Sequence, residues 1–262
     1  MQGLFDTHVH LNDQSLIQDI DGVIARAEAE GVARMLCVGW DIDSSRRAVE
    51  IASRYRNIWA SVGVHPHDAK SLDADSMAEI KDLAGKPKVV ALGEIGLDFY
   101  RDLSPRPVQE SAFRKQLAIA KELDLPVIIH DRDAGADIMR IILDEGPPAA
   151  GGVMHCFSED ADYALQAVEL GFYIGIAGPV TFNKSDALRE VVRKVPEDRL
   201  LIETDAPYLT PEPFRGRKPN EPSFVRFVAE KIAEVRKTDA ETIAKITDAN
   251  AERLFKRLRN KV

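Results

Sequence analysis

The sequence predicts an α/β fold, and within that class a single eight-stranded (β/α) barrel that spans residues 1–262. Short apolar, β-branched runs alternate with longer amphipathic stretches from one end of the chain to the other. The short runs are apolar throughout, as parallel strands are when helices cover both faces of their sheet. No Gly/Ser-rich linker divides the chain, and its length suffices for one barrel. A doubly wound open sheet is the structural alternative.

Each element of this fold has its own signal in the sequence. The predicted strands are Leu4–Val9, 35–38, 58–64, 89–92, 127–129, Gly152–Met154, Phe172–Ile176 and 200–203. The predicted helices include 16–30, one ending near 54, 104–123, one ending near 143, 160–170, 186–195 and two after a long loop at 207–222. Gly31 is a helix stop, and Asp43 or Ser44 is a candidate N-cap. Ser76 and Glu79 have the spacing of a capping box.

Composition restricts the classes of function. The chain is 45% hydrophobic and 30% charged, with a net charge of −8, which argues against a basic surface that coats nucleic acid. A local basic rim around a site remains compatible with a nucleic-acid enzyme. We expect no signal peptide and no membrane span, because no apolar run is long enough. Two cysteines in apolar runs indicate reduced thiols and a cytoplasmic protein.

The stretch Phe5-Asp6-Thr7-His8-Val9-His10 carries polar side chains at alternate positions. In an extended strand, Asp6, His8 and His10 would share one face, with Phe5 on the other. Two adjacent imidazoles at a strand end make half of a metal site, whereas a hydrogen-bonded histidine pair is the plainer interpretation. This stretch alone leaves both interpretations open.

All six histidines lie at or just beyond the carboxyl end of a predicted strand, and none is predicted in a helix. They are His8, His10, His65, His67, His130 and His155. Two carboxylates share this placement, since Glu94 follows the fourth strand and Asp205 follows the eighth. In a barrel these ends form one face, so the side chains would converge. Such a cluster suits Zn²⁺, Mn²⁺ or a two-metal site with a bridging carboxylate.

Three other residues at this face have separate predictions. Cys156 is predicted to be a packed thiol and not a ligand, because neighbours on a strand face opposite sides. His65 is predicted to contact substrate or to support the metals from behind. For His67 the choice between such a role and a plain loop position is open.

Longer motifs surround these residues. They are Phe5-Asp6-Thr7-His8-Val9-His10, Gly63-Val64-His65-Pro66, Gly93-Glu94-Ile95-Gly96-Leu97-Asp98, His155-Cys156-Phe157 and Glu203-Thr204-Asp205-Ala206-Pro207-Tyr208-Leu209, followed by Arg215-Gly216, Asn220-Glu221-Pro222, Asn250-Ala251 and Arg253-Leu254-Phe255. Together they resemble the TatD family of metal-dependent deoxyribonucleases. The motifs keep the family's order from end to end, so the resemblance covers the whole chain. His-x-His alone also opens many amidohydrolases.

The resemblance implies a TIM-like barrel that holds two divalent metal ions, Mg²⁺, Mn²⁺ or Zn²⁺, at the carboxyl ends of its strands. The implied ligands are His8, His10 and Asp205 for one ion, His130 and His155 for the other, and Glu94 as the bridge between them. Asp205 would also accept the proton of the attacking water, so Asp205 and Glu94 are the expected catalytic residues.

Phosphate recognition needs cationic groups besides the metals. The predicted substrate contacts are Arg101, Arg132 and Arg215, with Arg217 and Lys218 as further candidates. The aromatic side chains that would stack on an unpaired base are Phe99, Tyr100, Tyr208 and Phe214.

Other residues are predicted to support the site without touching substrate. Asp6 and Glu203 would hold the ligands from behind. Asn220 and Glu221 would fix the long loop, whose 215–222 segment is one residue longer than the family's usual form. That departure bears on substrate preference more than on metal chemistry.

The predicted function is hydrolysis of ester bonds, as a 3′→5′ deoxyribonuclease that acts on single-stranded DNA or on 3′ ends. The alternative is an amidohydrolase that cleaves an amide or an ester such as an aminoacyl adduct. Many such enzymes bridge their metals with a carboxylated lysine at a strand end, but Lys86 and Lys88 precede the fourth strand. A non-catalytic metal-binding protein would lack ligands, and none is missing. We expect a monomer without an obligate protein partner.

Overall fold

The computed structural model describes residues 3–259, so both ends of the predicted 1–262 domain lie outside the described residues. Eight strands form one sheet in which neighbours in the chain pair in parallel. The strands are β1 (Leu4–Val9), β2 (Val32–Val38), β3 (Ile58–Val62), β4 (Val89–Asp98), β5 (Val127–Arg132), β6 (Gly152–Met154), β7 (Phe172–Ile176) and β8 (Leu200–Ile202).

The first strand and the segment after the last strand meet and close the sheet. The backbone N–H of Asp205 donates to the carbonyl of His8 at 2.9 Å, and the N–H of His10 donates to the carbonyl of Ala206 at 2.8 Å. Val9 and Ala206 form a parallel bridge between these bonds. The predicted (β/α)₈ barrel is therefore confirmed, and the doubly wound alternative is wrong.

Helices connect the strands and cover the outside of the barrel. Among the described residues they are α1 (Gln14–Ile17), α2 (Ile20–Ala29), α3 (Ile42–Arg54), α4 (Ala74–Ala84), α5 (Arg106–Glu122), α6 (Gly135–Glu145), α7 (Ala161–Glu169), α8 (Asp186–Lys194), α9 (Val225–Arg236) and α10 (Ala240–Leu254). Their buried apolar stripes pack on the outward faces of the strands. Within residues 3–259, none of them has the length and apolar character that a membrane span needs.

Three predictions about the helices are wrong in detail. The N-cap of α3 is Asp41, and Ser44 lies three positions later, where it completes a capping box. Asp73 and Ser76 make the same arrangement at the start of α4, so Ser76 is the second member of the box and Glu79 takes no part. Each predicted start came too late because the capping carboxylate lies upstream of the amphipathic stretch. The helix predicted at 16–30 is divided into α1 and α2.

Strand β4 is longer than predicted, and its extension carries an important carboxylate. The apolar run indicated an end near residue 92, but pairing with β5 continues from Ile95 opposite Ile129 to Asp98 opposite Arg132. Gly93 interrupts the apolar run and hid this continuation. Glu94 therefore lies within the strand and Asp98 lies at its end.

One buried cluster takes a side chain from every strand, which only the interior of a closed barrel permits. Its strand members are Phe5, Leu36, Val38, Val90, Ala91, Ile128, Val153, Tyr173 and Leu201, with Trp59 packed against them. Leu254 and Phe255, at the end of α10, join the cluster and close the amino-terminal mouth. Asn250 holds α10 there, because its amide donates to the carbonyl of Leu200 at 2.8 Å.

Strand β1 does not alternate regularly. Its register against β2 shifts between Asp6 and Val9. Phe5 packs inside the barrel, and His10 lines a cavity at the carboxyl end of the same interior. The prediction that Phe5 faces away from the histidines is therefore wrong, because an irregularity in the pairing resets the period of two.

Candidate metal centre

A cavity of about 490 Å³ opens at the carboxyl mouth of the barrel. Its lining comes from the ends of seven strands, through His10, Trp40, His65, Glu94, His130, His155 and Asp205. His8 lies beneath this lining and is fully buried. The barrel thus brings together the six residues that the sequence indicated as ligands, although they are scattered over the whole chain.

Four ligand atoms meet at the floor of the cavity. His8 Nε2 lies 3.3 Å from His10 Nε2 and 3.4 Å from Glu94 Oε2. His10 Nε2 lies 3.4 Å from Asp205 Oδ1, and the two remaining imidazole–carboxylate distances in the group are 3.9 Å. Ligands bound tetrahedrally at 2.0–2.1 Å from Zn²⁺ are about 3.4 Å apart. The spacing of these four atoms therefore fits a shared cation.

A second group forms around the other oxygen of Glu94. Glu94 Oε1 lies 2.8 Å from His130 Nδ1, 3.5 Å from His65 Nε2 and 3.8 Å from His155 Nε2. Since Oε2 faces His8 and Oε1 faces His130, the carboxylate lies between two sets of imidazoles. This is the position that a bridging ligand requires.

Burial and charge act on these groups in opposite directions. Burial alone would raise the pKa of Glu94, but the imidazoles of His65, His155 and His130 hold that pKa well below its usual range. Burial opposes protonation of His130 and His155, yet the nearby carboxylates raise the pKa of His130 to about 9 and that of His155 to about 10. Burial beside His130 lowers the pKa of His65 to about 4. A divalent cation would replace the protons, because ligating imidazoles must be neutral.

His155 connects the two groups. Its ring stacks on that of His8 with 3.4 Å between centroids, and its Nε2 lies 3.8 Å from both Glu94 Oε1 and Asp205 Oδ1. On the far side of the ring, Nδ1 lies 2.8 Å from Glu203 Oε1. Glu203 also accepts the N–H of Cys156 at 2.5 Å and is fully buried. The structure thus places Glu203 where a supporting carboxylate orients a ligand.

Asp6 lies at the seam between β1 and the segment after β8. Its Oδ1 accepts the N–H of Thr204 at 2.9 Å and that of His8 at 3.3 Å, and its Oδ2 is 2.5 Å from the Thr204 hydroxyl. Burial raises the pKa of Asp6 to about 8, although the bonds from Thr204 oppose the shift. Asp6 therefore joins the backbones that carry His8 and Asp205 and does not itself reach the cavity.

The predicted substrate residues divide into two sets. His65, Arg101 and Arg132 line the cavity. Arg215 is not among the lining residues, and its guanidinium lies 4.1 Å from the centroid of the Phe182 ring. The structure therefore places Arg101 and Arg132 in the cavity that the candidate ligands line and leaves Arg215 on the surrounding loop.

Aromatic side chains also differ in their placement. Tyr208 lines the cavity, and its ring centroid lies 6.1 Å from that of His10. Tyr100 is 62% exposed, with the guanidinium of Arg132 5.0 Å from its ring centroid. Phe214 instead stacks on Phe224. Tyr208 and Tyr100 are thus the better placed of the predicted stacking residues.

Sequence reasoning missed several side chains of the cavity region, and two of them, Trp40 and Asp98, contact candidate ligands. Trp40 follows β2 and packs edge-on against His10. Asp98 Oδ2 lies 2.7 Å from His67 Nε2 and 3.2 Å from His130 Nε2. A signal for Asp98 existed, because positions 94 and 98 are four apart and share one face of a continuous strand.

Two further predictions need correction. His67 lies in a 3-10 helix, Pro66–Ser71, whereas no histidine was predicted in a helix. Cys156 lies beyond the end of β6 with a positive φ of 44°, so strand alternation gives no reason to turn its thiol away, and the residue lines the cavity. Burial raises the pKa of the Cys156 thiol well above its usual value, which disfavours the thiolate that a ligand needs.

Comparison with known proteins agrees with this geometry. The family model described as TatD related DNase matches residues 5–256. The chain is 49% identical over 253 residues to the uncharacterized metal-dependent hydrolase YabD of Bacillus subtilis, covering 97% of this chain and 99% of the relative. It is 42% identical over 261 residues to the 3′-5′ ssDNA/RNA exonuclease TatD of Salmonella typhimurium, and the match covers 96% of this chain and 98% of the relative.

A solved structure gives the same result for the fold. The crystal structure of YjjV, a TatD homologue from Escherichia coli, superposes with a TM-score of 0.91 at 30% identity and covers 97% of this chain and 98% of its own. Fold, donor groups and sequence similarity therefore agree along nearly the whole chain. The chain belongs to the TatD-related DNase family, as the resemblance of its motifs indicated.

Proposed function

We propose that this protein is a metal-dependent nuclease that removes nucleotides from the 3′ end of single-stranded DNA or RNA. The observation that carries the proposal is Glu94, whose two carboxylate oxygens face two separate groups of imidazoles. Membership of the TatD-related DNase family supports a phosphodiester substrate. The name of the relative from Salmonella typhimurium, a 3′-5′ ssDNA/RNA exonuclease, supports the polarity and the choice of single strands.

In this proposal two divalent ions of the Mg²⁺, Mn²⁺ or Zn²⁺ type bind at the cavity floor. His8, His10 and Asp205 would hold one, His130 with His155 would hold the other, and Glu94 would be shared between them. His65 Nε2, 3.5 Å from Glu94 Oε1, is a further candidate ligand of the second group. Such ions lower the pKa of water and stabilise charge on phosphoryl oxygens.

Asp205 is the proposed proton acceptor. Burial alone would raise its pKa, but the contact with His10 and the charges of His155 and His8 lower it, so the carboxylate is ionised at neutral pH. Its side chain is 14% exposed, whereas that of Glu94 is 5% exposed. Asp205 is thus the carboxylate more accessible to water from the cavity, as a general base must be.

The substrate would enter as a chain end. A cavity of about 490 Å³ has the size of a small-molecule pocket, which suits one terminal nucleotide better than a continuous duplex. Arg101 and Arg132 would contact phosphate, and Tyr100 and Tyr208 would stack on bases at the rim. Because one chain supplies every candidate ligand, the proposed site needs no residue from a second subunit.

The structure disfavours the amidohydrolase alternative. Lys88 Nζ donates to the carbonyl of Ala52 at 2.8 Å, at the opposite end of β4 from Glu94. Among the described residues, no lysine lines the cavity, so none is placed to form a carbamate bridge between ions.

The test is hydrolysis by protein stripped of metal and then supplied with one divalent ion at a time. Single-stranded DNA and RNA labelled at the 3′ or the 5′ end, an aminoacyl ester and an amide would be compared. We expect early release of the 3′ label only when metal is present, and loss of that release in Asp205→Asn. Hydrolysis of the aminoacyl or amide substrate alone would contradict the proposal, as would two bound ions without any hydrolysis.

Nucleic-acid affinity gives a second readout. Because the chain carries a net charge of −8, binding should depend on the local site and not on a long basic track. We expect fluorescence anisotropy to show weak binding of the same oligonucleotide in a chelator. Tight binding that persists without metal would indicate a different mode of recognition.

A further inference from the structure

Asp98, at the end of β4, is a buried carboxylate that the proposed chemistry does not use. It is 2% exposed, and it is absent from the two donor groups that Glu94 joins. Each of its oxygens has a separate set of partners. Oδ2 lies 2.7 Å from His67 Nε2 and 3.2 Å from His130 Nε2, whereas Oδ1 accepts the backbone N–H groups of Tyr100 at 3.1 Å and Arg101 at 2.7 Å.

The backbone of Asp98 is fixed as firmly as its side chain. Gln109, which is fully buried on α5, accepts the N–H of Asp98 through Oε1 at 2.8 Å. The amide of the same side chain donates to the carbonyl of Asp98 at 3.1 Å and to that of Ser104 at 2.8 Å. The carboxylate therefore stands on a rigid support, as a residue that sets the position of another group requires.

These contacts give the two nitrogens of His130 different surroundings. Nδ1 faces Glu94 Oε1 at 2.8 Å, inside the second donor group, and Nε2 faces Asp98 Oδ2 at 3.2 Å. An ionised carboxylate accepts hydrogen bonds, so it selects the tautomer with its proton on Nε2. The lone pair is then on Nδ1, which faces the donor group.

We propose that Asp98 is a positioning residue, which fixes the ring and the tautomer of His130 for a divalent ion in the second group. His67 braces the same oxygen from the other side. This inference rests on the proposed function only for the identity of the site as a metal centre. It assigns roles to two residues, Asp98 and His67, that belong to neither donor group.

The variant that tests the inference is Asp98→Asn. The amide has the same shape, and its oxygen would stay on the N–H groups of Tyr100 and Arg101. Its NH₂ group would then face Nε2 of His67 and His130. A donor there favours the His130 tautomer with its proton on Nδ1, which removes the lone pair that an ion in the second group needs. Asp82→Asn is the matched control, because Asp82 lies on α4, has a side chain that is 69% exposed and pairs with Lys86 at the surface.

Metal binding is the primary readout, measured by calorimetric titration of Mn²⁺ into stripped protein. We expect two ions in the wild type and a loss of about 10- to 100-fold in affinity for one of them in Asp98→Asn. The other ion should bind as before, and Asp82→Asn should bind both ions like the wild type. The inference would be overturned if Asp98→Asn bound each of the two ions with the same affinity as the wild type does.

A second variant keeps the test decisive if Asp98→Asn fails to fold. His67→Asn removes the brace and leaves Asp98 on His130, so we expect the same ion to bind less tightly, by less than about 10-fold. Unchanged affinity in His67→Asn would exclude the brace. If the wild type binds two ions but cleaves no nucleic acid, the proposed function fails, whereas the role of Asp98 is still decided by the titration.

Discussion

The two mouths of the barrel are made by the same eight strands, and they carry opposite kinds of side chain. At the amino-terminal mouth, α10 brings Leu254 and Phe255 into an apolar cluster. At the carboxyl mouth, Glu94 and His8 are buried to a similar degree, with 4% and 0% exposure against 0% for Phe255. Buried side chains therefore form an apolar core at the amino-terminal mouth and a cluster of candidate metal ligands at the carboxyl mouth.

This difference shows how stability and chemistry are separated along the strands. Apolar burial stabilises the fold in proportion to its area. A buried carboxylate opposes folding unless it is paired. Within residues 3–259 the ion pairs of the Glu94 carboxylate are all with imidazoles, whose charge depends on protons or on a metal. We expect substitutions at the carboxyl mouth to change activity and metal affinity, and substitutions at the amino-terminal mouth to change stability.

The largest expected effect is on activity, from Glu94→Gln. The amide keeps the shape of the side chain but removes the charge that two cations would share. We expect kcat/KM to fall at least about 10³-fold and metal content per chain to fall with it, measured by steady-state kinetics and elemental analysis. Glu230→Gln, the same change on α9 at the surface, should leave both values unchanged. Retained activity in Glu94→Gln would remove the bridging role.

Phe255→Ala tests the amino-terminal mouth. Removal of a fully buried ring should lower the free energy of unfolding by about 3–5 kcal/mol. The closed end of the barrel cannot collapse into the empty space that the deleted ring leaves behind. Urea unfolding measures the loss, and metal affinity of the folded protein should match that of the wild type. Phe214→Ala, with a ring that is 36% exposed, should cost less. A change in metal affinity would show that the two mouths are coupled.

Removal of the metal should have a smaller effect on stability. An ion at 100 times its dissociation constant contributes about 2.7 kcal/mol to the free energy of unfolding. We expect a chelator to lower the melting temperature of the wild type, and the added ion to restore it. In Glu94→Gln the melting temperature should respond little to either treatment. If a chelator left the melting temperature of the wild type unchanged, that result would argue against a bound cation.

The sequence predicted the barrel from the alternation of apolar and amphipathic runs, and the barrel in turn predicted that the candidate ligands cluster. Parallel strands place their carboxyl ends on one face, so residues such as His10, His155 and Asp205 converge wherever they occur in the chain. The family resemblance then assigned roles to them. Their placement in the structure agrees with that prediction, and the family itself is confirmed.

Features that depend on a single contact could not be predicted in this way. The role inferred for Asp98 depends on a ring nitrogen of His130 from the adjacent strand and on the extension of β4 past Gly93. The inward position of Phe5 depends on an irregular register that no local pattern encodes. Arg215 shows the converse case, since a cation on a nearby loop is predicted to contact substrate and its guanidinium packs on the Phe182 ring.

A third region, the loop at 207–222, belongs to the carboxyl mouth but is stabilised by polar contacts. Asn220 donates to the carbonyls of Thr204 at 3.0 Å and Tyr208 at 2.5 Å. The next residue, Glu221, accepts two hydrogen bonds from Arg26 of α2, at 2.8 and 3.2 Å. These contacts agree with the predicted role of Asn220 and Glu221 in fixing the loop.

Arg26→Gln should have the smallest effect, because it removes the ion pair with Glu221, in which the Arg26 side chain is 45% exposed to solvent. We expect a loss of about 0.5–1 kcal/mol in the free energy of unfolding. Since the loop positions Tyr208 at the cavity, KM for an oligonucleotide should rise a few-fold while kcat and metal affinity stay the same. Arg226→Gln, which breaks the exposed pair with Glu30, is the control that should leave KM unchanged. A fall in kcat without a change in KM would mean that Arg26 acts on the metal centre and not on the loop.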